Sequence, residues 1–166
     1  MIELNPKQEK LKRQVTNPAK FKLFLFTKLP MGLLAGMRLR SLTPESCTTS
    51  VPFKNLNKNP FKSIYFAVQS MAAELSTATP CLLAVQGHKP SIAFIIVDLK
   101  ANFYKKATGR VYFHCDQGSR AFNAVAKAIS SGEAQTATFN TIGKMEDGTI
   151  VSDFEFTWSF KQRSKP

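Results

Sequence analysis

Residues 59–79 have the sequence Asn-Pro-Phe-Lys-Ser-Ile-Tyr-Phe-Ala-Val-Gln-Ser-Met-Ala-Ala-Glu-Leu-Ser-Thr-Ala-Thr, and this stretch decides the fold. Ser63 is a good N-cap residue, and Pro80, which follows Thr79, cannot continue a helix. Almost every residue between them is apolar or small. The sequence therefore predicts a helix from Ser63 to Thr79 that is buried on nearly all sides, so the rest of the chain must wrap around it.

Glu74 is the one acidic residue of this helix. A carboxylate is costly to bury unless it is paired or functional, so its position makes it a candidate site residue. The alternative is structural. Glu74 would then belong to a narrow polar stripe, formed with Gln69, Ser70 and Ala73, that faces solvent or a subunit interface.

The length and composition indicate one domain. The chain has 166 residues, of which 43% are hydrophobic, which suffices for one well-buried core but not for two ordinary domains. The 14 phenylalanines suit the face of a sheet packed on a helix. We assign residues 17–162 to the domain, residues 1–16 to a basic N-terminal arm and residues 163–166 to a basic C-terminal tail.

The charge balance favours an anionic partner. Lysine and arginine number 23 against 11 acidic residues, for a net charge of +12. Such an excess suits nucleic acid, a membrane surface or a phosphate-bearing ligand. Many of the basic residues lie in the arm and the tail, where solvated charge is the ordinary explanation. Nucleic acid is the less favoured partner, because no zinc-finger, RNA-recognition or helix-turn-helix signature accompanies the charge.

The cysteines and histidines indicate neither a disulfide framework nor a metal site. Cys47, Cys81 and Cys115 are odd in number and widely spaced, which fits a reducing compartment. With His88 and His114 as the two histidines, a metal site has few ligands available, and none is expected.

The apolar segment 21–37 is the part of the chain closest to a membrane sequence. It is interrupted by Lys22, Lys28 and Pro30, so it cannot span a bilayer, and it lacks the layout of a signal peptide. Lying on a membrane surface is the remaining membrane-related alternative. We expect a cytoplasmic protein without a transmembrane segment.

The remaining segments predict a helix after Asn17-Pro18 that ends at Leu29-Pro30, a second short helical piece, and a later helix after Asp116. Strands are predicted at residues 38–42, 47–53, 81–85, 91–99, 110–115, 134–144 and 149–161. The last two flank Asp147-Gly148, a strong hairpin signal. Their order favours an α+β fold in which an antiparallel sheet curls around the central helix.

Two motifs resemble the hotdog-fold thioesterase superfamily, in particular the PaaI-like acyl-CoA thioesterases and a related hotdog family of unknown function. In that branch the helix is preceded by a pattern like Asn-His-x-Gly-x-x-His-Gly-Gly, with an acid farther along. Here Asn59 begins the corresponding stretch, residues 59–67, and Glu74 has the spacing of the acid. Residues 97–103, with Ala107 and Gly109, resemble the family's Val-Asp-Met-Asn-x-x-Tyr strand and the loop after it.

The sequence also departs from the pattern. Tyr65 stands where the family often has histidine, and Phe66 and Lys62 stand where it has glycine. Ile96 lies near a position that is often serine or threonine in active members. The departures leave the fold assignment intact and affect the site, because Phe66 fills space that glycine leaves open.

The resemblance implies thioester hydrolysis with Glu74 as general base or nucleophile. The N–H of Phe66 would stabilise the oxyanion, Asn59 would polarise the carbonyl or orient water, and Tyr65 would donate a hydrogen bond in place of imidazole. The structural alternatives are that Asn59 is a turn residue before Pro60 and that Tyr65 is a half-buried core aromatic.

The resemblance further implies that the sites form between the subunits of a homodimer or a dimer of dimers. Coenzyme A would be part of the substrate, and no other cofactor is expected. Candidates for its phosphates are Lys62, Lys105, Lys106 and Arg110, each of which could equally be a solvated loop charge. Two other hypotheses remain: a non-catalytic acyl-CoA or fatty-acyl binding protein, and a basic protein that associates with nucleic acid or a membrane surface.

Overall fold

The computed structural model describes residues 2–163, so the last three residues of the predicted tail lie outside the described residues. The helices are α1 (Pro6–Thr16), α2 (Pro18–Lys28), α3 (Pro30–Ala35), α4 (Phe66–Ala84) and α5 (Gly118–Ser131). The strands are β1 (Arg38–Leu42), β2 (Cys47–Val51), β3 (Ile92–Phe103), β4 (Val111–Cys115), β5 (Gln135–Met145) and β6 (Ile150–Gln162).

The six strands form one antiparallel sheet in the order β1-β2-β4-β5-β6-β3. Helix α4 packs against β2, β4, β5 and β6, so the sheet curls around it. The predicted α+β class, the wrapped central helix and the N-terminal helical segment are confirmed. Strand β6 shows why the sheet has a defined inner face: Phe154, Phe156, Trp158 and Phe160 alternate along it and are buried.

The central helix begins later than predicted. It starts at Phe66, and Ser63 does not cap it. The backbone and hydroxyl of Ser63 both donate to Oδ1 of Asn59, at 3.2 Å each, which holds residues 59–63 in a turn. The N–H of Ile64 then donates to the carbonyl of Ala107 at 2.8 Å, so the loop is tied to the chain after β3 before the helix begins.

The helix also ends later than predicted, at Ala84 instead of Thr79. Pro80 lies inside it, and the strand predicted for residues 81–85 is wrong. Proline removes the N–H that would bond to the carbonyl of Ser76. The last turn still forms because Cys81, Leu83 and Ala84 are fully buried in the core, and this packing outweighs the unfavourable proline.

The N-terminal helices pack onto the same core. The side chain of Gln8 is buried and donates to the carbonyl of Ala84 at 3.2 Å, which attaches α1 to the end of α4. Asn17 caps α2 as predicted, and Phe21 and Leu25 are buried on its inner face. Within residues 2–163, no helix combines the length and the apolar character needed to cross a membrane.

Strand β3 forms an edge of the sheet and has β6 as its one neighbour within the described chain. The sequence predicts that residues 91–99 are too continuously apolar to have one solvent-exposed face along their whole length. In the single chain, Ile95, Val97, Leu99 and Phe103 are nevertheless exposed, because the sheet ends at β3. A bulge between Ile96 and Asp98 makes Val97 an extra residue in the pairing with β6.

Candidate active site

Glu74 lines a cavity of about 390 Å³ between α4, α2 and the edge of the sheet. Helix α2 contributes Phe21 and Phe24 to the cavity wall, and β3 contributes Phe94 and Ile96. Glu74 is the one charged residue among the side chains that line this cavity in the described chain. The structure thus places the predicted acid where an apolar group could lie beside it.

The apolar surroundings change the acidity of Glu74. Burial raises the pKa of Glu74 from an ordinary value of 4.5 to about 7, because the charged form loses its hydration. Within residues 2–163, no hydrogen-bond donor offsets this loss at the carboxylate. Protonated and ionised forms are therefore both populated near neutral pH, as a group that takes up and releases a proton requires.

The turn that carries Glu74 is fixed by a contact that the sequence analysis missed. The hydroxyl of Thr77 donates to the backbone carbonyl of Glu74 at 3.0 Å and accepts from the indole N–H of Trp158 at 3.1 Å. Trp158 also lines the cavity. The sequence shows that both residues belong to buried elements, but their pairing depends on how β6 lies across α4.

Asn59, Tyr65 and Phe66 lie at a second cavity of about 550 Å³, at the start of α4. Phe66 and Glu74 are eight residues apart, which is about 12 Å along a helix axis. That distance is too large for both to act on one carbonyl group. The structure thus brings three of the four predicted catalytic residues together and separates them from Glu74 within one chain.

The contacts at the second cavity bear on the catalytic roles predicted for Asn59, Tyr65 and Phe66. Oδ1 of Asn59 accepts from the N–H of Phe61 at 3.0 Å as well as from Ser63, which is the turn role that the sequence offers as an alternative. Tyr65 and Phe66 are exposed, with their ring centroids 4.8 Å apart. No side chain of the described residues caps α4, so its first amide groups remain available as donors at this cavity.

The predicted phosphate-binding residues fall into two groups. Lys105 and Lys106 line the second cavity, and Lys62 lies in the loop that borders it, with a positive φ of 60°. Arg110 lies elsewhere, at a groove beside β1, with its Nε 3.6 Å from Oε1 of Glu146. Two of the four candidates, Lys105 and Lys106, therefore share a cavity with Phe66, and Lys62 lies in the adjacent loop.

The chain was compared with known proteins by sequence and by structure. No family model and no curated protein match it. Its structure matches that of a protein of unknown function from Pseudomonas aeruginosa, a probable thioesterase, at a TM-score of 0.74 and 16% identity, covering 90% of this chain and 99% of that one.

Two further matches are thioesterases. A mutant thioesterase from Pseudomonas aeruginosa matches at a TM-score of 0.67 and 17% identity, covering 92% of this chain and 99% of that one. A thioesterase from Haemophilus influenzae matches at a TM-score of 0.58 and 12% identity, covering 95% of this chain and 92% of that one. The chain therefore has the hotdog fold, and the resemblance found in the sequence is confirmed at the level of fold.

The raised pKa of Glu74 makes a prediction about stability. Between pH 4.5 and about 7 the folded chain holds a proton that the unfolded chain has lost, so the free energy of unfolding falls as the pH rises through this range. The total loss is roughly 3 kcal/mol. We therefore expect the free energy of unfolding of Glu74→Gln, measured in urea relative to wild type, to be roughly 3 kcal/mol higher at pH 8 than at pH 4.

The exposed Glu133→Gln variant controls for the loss of one negative charge. An effect of Glu74→Gln that does not change with pH would show that the pKa of Glu74 is the same in the folded and unfolded chain, which would contradict the environment described above.

Proposed function

We propose that the protein hydrolyses acyl-CoA thioesters, with Glu74 as the general base or nucleophile. The observation that carries the proposal is an ionisable carboxylate with a pKa near 7 beside an apolar cavity, in a fold shared with thioesterases. The acyl chain would occupy the cavity lined by Phe24, Phe94 and Trp158.

In the base route, Glu74 takes a proton from water as the water oxygen attacks the thioester carbonyl. The carbonyl oxygen becomes an oxyanion, which the first amide groups of α4 would stabilise. The carbon–sulfur bond then breaks, and the proton passes to the departing thiolate. In the nucleophile route, a carboxylate oxygen of Glu74 attacks the thioester carbonyl carbon, the carbon–sulfur bond breaks, and coenzyme A departs as the thiolate. Water then hydrolyses the resulting anhydride, which restores Glu74, and a proton from that water passes to the thiolate. Both routes release a carboxylic acid and coenzyme A.

The site would form between two copies of the chain. Because Phe66 and Glu74 of one copy are about 12 Å apart, the oxyanion donors of one copy would serve the carboxylate of the other. The proposed contact is β3, whose exposed apolar edge is the kind of strand that natural proteins pair or cover. A homodimer is the smallest assembly that completes the site, and a dimer of dimers would contain the same contact.

A second candidate function is acyl-CoA or fatty-acyl binding without turnover. The observation that favours it is the bulk of Tyr65 and Phe66 at the second cavity. Two exposed aromatic rings there would narrow the approach of a thioester to the amide groups of α4.

Glu74→Gln distinguishes the two functions. The substitution keeps the size of the side chain and removes the basic oxygen, so turnover should fall by ~10²-fold or more while binding persists. The measurement is hydrolysis of acyl-CoA thioesters of short, long and aromatic acyl groups, with direct binding measured in parallel. Equal turnover by both proteins would remove Glu74 from catalysis. Binding without turnover by the wild type would favour the second candidate.

The dimer proposal predicts the effect of charge at the β3 edge. Replacing Val97 and Leu99 by lysine should yield a monomer in light scattering, since like charges would face each other across the contact. That monomer should lose turnover, because each site needs two copies. The matched control replaces Ile142 and Ile150, which are exposed on other strands, by lysine. A dimer that survives the β3 substitutions would contradict this contact.

We further propose that Lys105, Lys106 and Lys62 bind the phosphates of coenzyme A. Arg110 is left out of this set because it lines a different groove and its Nε lies 3.6 Å from Oε1 of Glu146. Charge reversal by Lys105→Glu and Lys106→Glu should weaken coenzyme A binding by about tenfold or more at low salt, and the difference from wild type should shrink as salt rises. Lys127→Glu with Lys144→Glu is the control of equal charge. Equal weakening by both pairs would assign the effect to net charge.

A further inference from the structure

The outside of the α2 and α3 helices carries an apolar surface that the described chain leaves uncovered. Its large side chains are exposed by 63% at Leu23, 67% at Phe26, 64% at Met31 and 56% at Leu34. We call this set the α2–α3 outer face. Four large exposed apolar side chains within twelve residues make this an apolar patch of the kind that marks an interaction surface.

The geometry of α2 explains the patch. Phe21 and Leu25 are buried against the core, so the opposite side of the helix faces outward. A surface helix ordinarily has polar residues on that side. In α2 it carries Leu23 and Phe26, which are three residues apart and adjacent on the helix surface, with Lys22 one turn before Phe26.

The surroundings of the patch are strongly basic. Residues 10–44 contain eight lysines and arginines and no aspartate or glutamate. No ion pair within residues 2–163 involves any of these eight cations. The positive charge of this segment is therefore not neutralised by ion pairs in the described chain.

A basic groove of about 410 Å³ borders the same helices. Its cations are Lys22 from α2, Arg38 and Arg40 from β1, Lys54 after β2 and Arg110 before β4. Its floor is apolar and includes Leu33 and Met37, and no acidic residue lines it within the described residues. Nε of Arg40 donates to the hydroxyl of Ser50 at 2.8 Å, which holds the guanidinium while leaving its remaining N–H groups for a phosphate.

We propose that the α2–α3 outer face docks on the surface of a membrane that contains anionic phospholipids. The apolar side chains of Leu23, Phe26 and Met31 enter the boundary between head groups and acyl chains, and the surrounding cations contact lipid phosphates, including one in the basic groove. Membrane docking by this face does not depend on thioester hydrolysis.

The charge distribution selects this occupant over two others. A second copy seated on the same face would bring the three lysines of α2, Lys20, Lys22 and Lys28, against their counterparts, which is repulsive. A nucleic acid would neutralise the cations but leave Leu23 and Phe26 in water. An anionic membrane surface satisfies both the charge and the apolar side chains.

The test is cosedimentation of the purified protein with phosphatidylcholine vesicles that contain ~30 mol% phosphatidylserine, compared with phosphatidylcholine alone. The protein should bind the anionic vesicles, bind phosphatidylcholine alone at least tenfold more weakly, and bind less at high salt. No preference for the anionic vesicles would overturn the proposal.

Two variants separate charge from apolar insertion. Lys20→Glu with Lys22→Glu should weaken vesicle binding by about tenfold or more, whereas the control Lys127→Glu with Lys144→Glu should have a much smaller effect. Leu23→Ser with Phe26→Ser should also weaken binding by about tenfold, whereas Ile142→Ser with Ile150→Ser, at exposed apolar residues on β5 and β6, should not.

Equal effects of the patch and control variants would overturn the proposal. So would a fall in oligomeric state on Leu23→Ser with Phe26→Ser, which would assign the face to a second copy. Duplex DNA binding that exceeds vesicle binding and does not respond to the serine variants would assign the cations to nucleic acid. All the substituted side chains are exposed, and thermal unfolding checks that each variant is folded.

Discussion

Helix α4 has too little polar surface to be stable in water by itself, and its burial is the constraint on which the rest of the structure depends. Eleven of its nineteen residues are buried, four strands pack against it, and polar side chains on its buried side find partners there. Ser76 donates to Thr141 at 2.8 Å, and Gln69 accepts from Ser152 at 2.9 Å. Each such bond offsets the cost of removing a polar group from water, so the sheet is aligned on the helix by polar contacts as well as by packing.

Glu74 is the exception to this pairing, and the exception gives the site its chemistry. The same packing that stabilises α4 takes part of the water away from one half-buried carboxylate and leaves it without a donor in the described chain. At the start of the helix, the first amide groups are uncapped, and Lys105 and Lys106 line the cavity beside them. A single α4 therefore has a proton acceptor at one place and a positive end at another, and the length of the helix keeps them apart.

The features that sequence predicts well are those with local causes. The alternation of Phe154, Phe156 and Trp158 follows from the two-residue repeat of a strand, and the Asp147-Gly148 turn follows from backbone geometry. The predicted bounds of α4 are wrong because they depend on contacts that are distant in the chain. Pro80 is unfavourable in a helix, but burial of Cys81 and Leu83 in the core outweighs it. That core forms only when the strands have assembled, so its packing energy cannot be predicted from the residues near Pro80.

The candidate site divides in the same way. Glu74 is recognisable because an acid in an apolar helix is anomalous in the sequence itself. The sequence leaves two roles open for Asn59, a turn residue or a catalytic residue. The hydrogen bonds that it accepts from residues 61–63 depend on the path of the loop, which the sequence does not show. The division of the cations between two places could not be predicted, since Lys105 and Arg110 are five residues apart in the chain but border different cavities.

The bulge at Val97 has a consequence for how this chain can change in length. In a regular strand, gaining or losing one residue turns every later side chain to the opposite face of the sheet. At Val97 the extra residue has no partner on β6, and pairing resumes between Asp98 and Thr157 directly after Ile96 and Trp158. A chain one residue shorter at this point would keep each inward side chain of β3 facing inward, so the edge can lose its kink without disturbing the core.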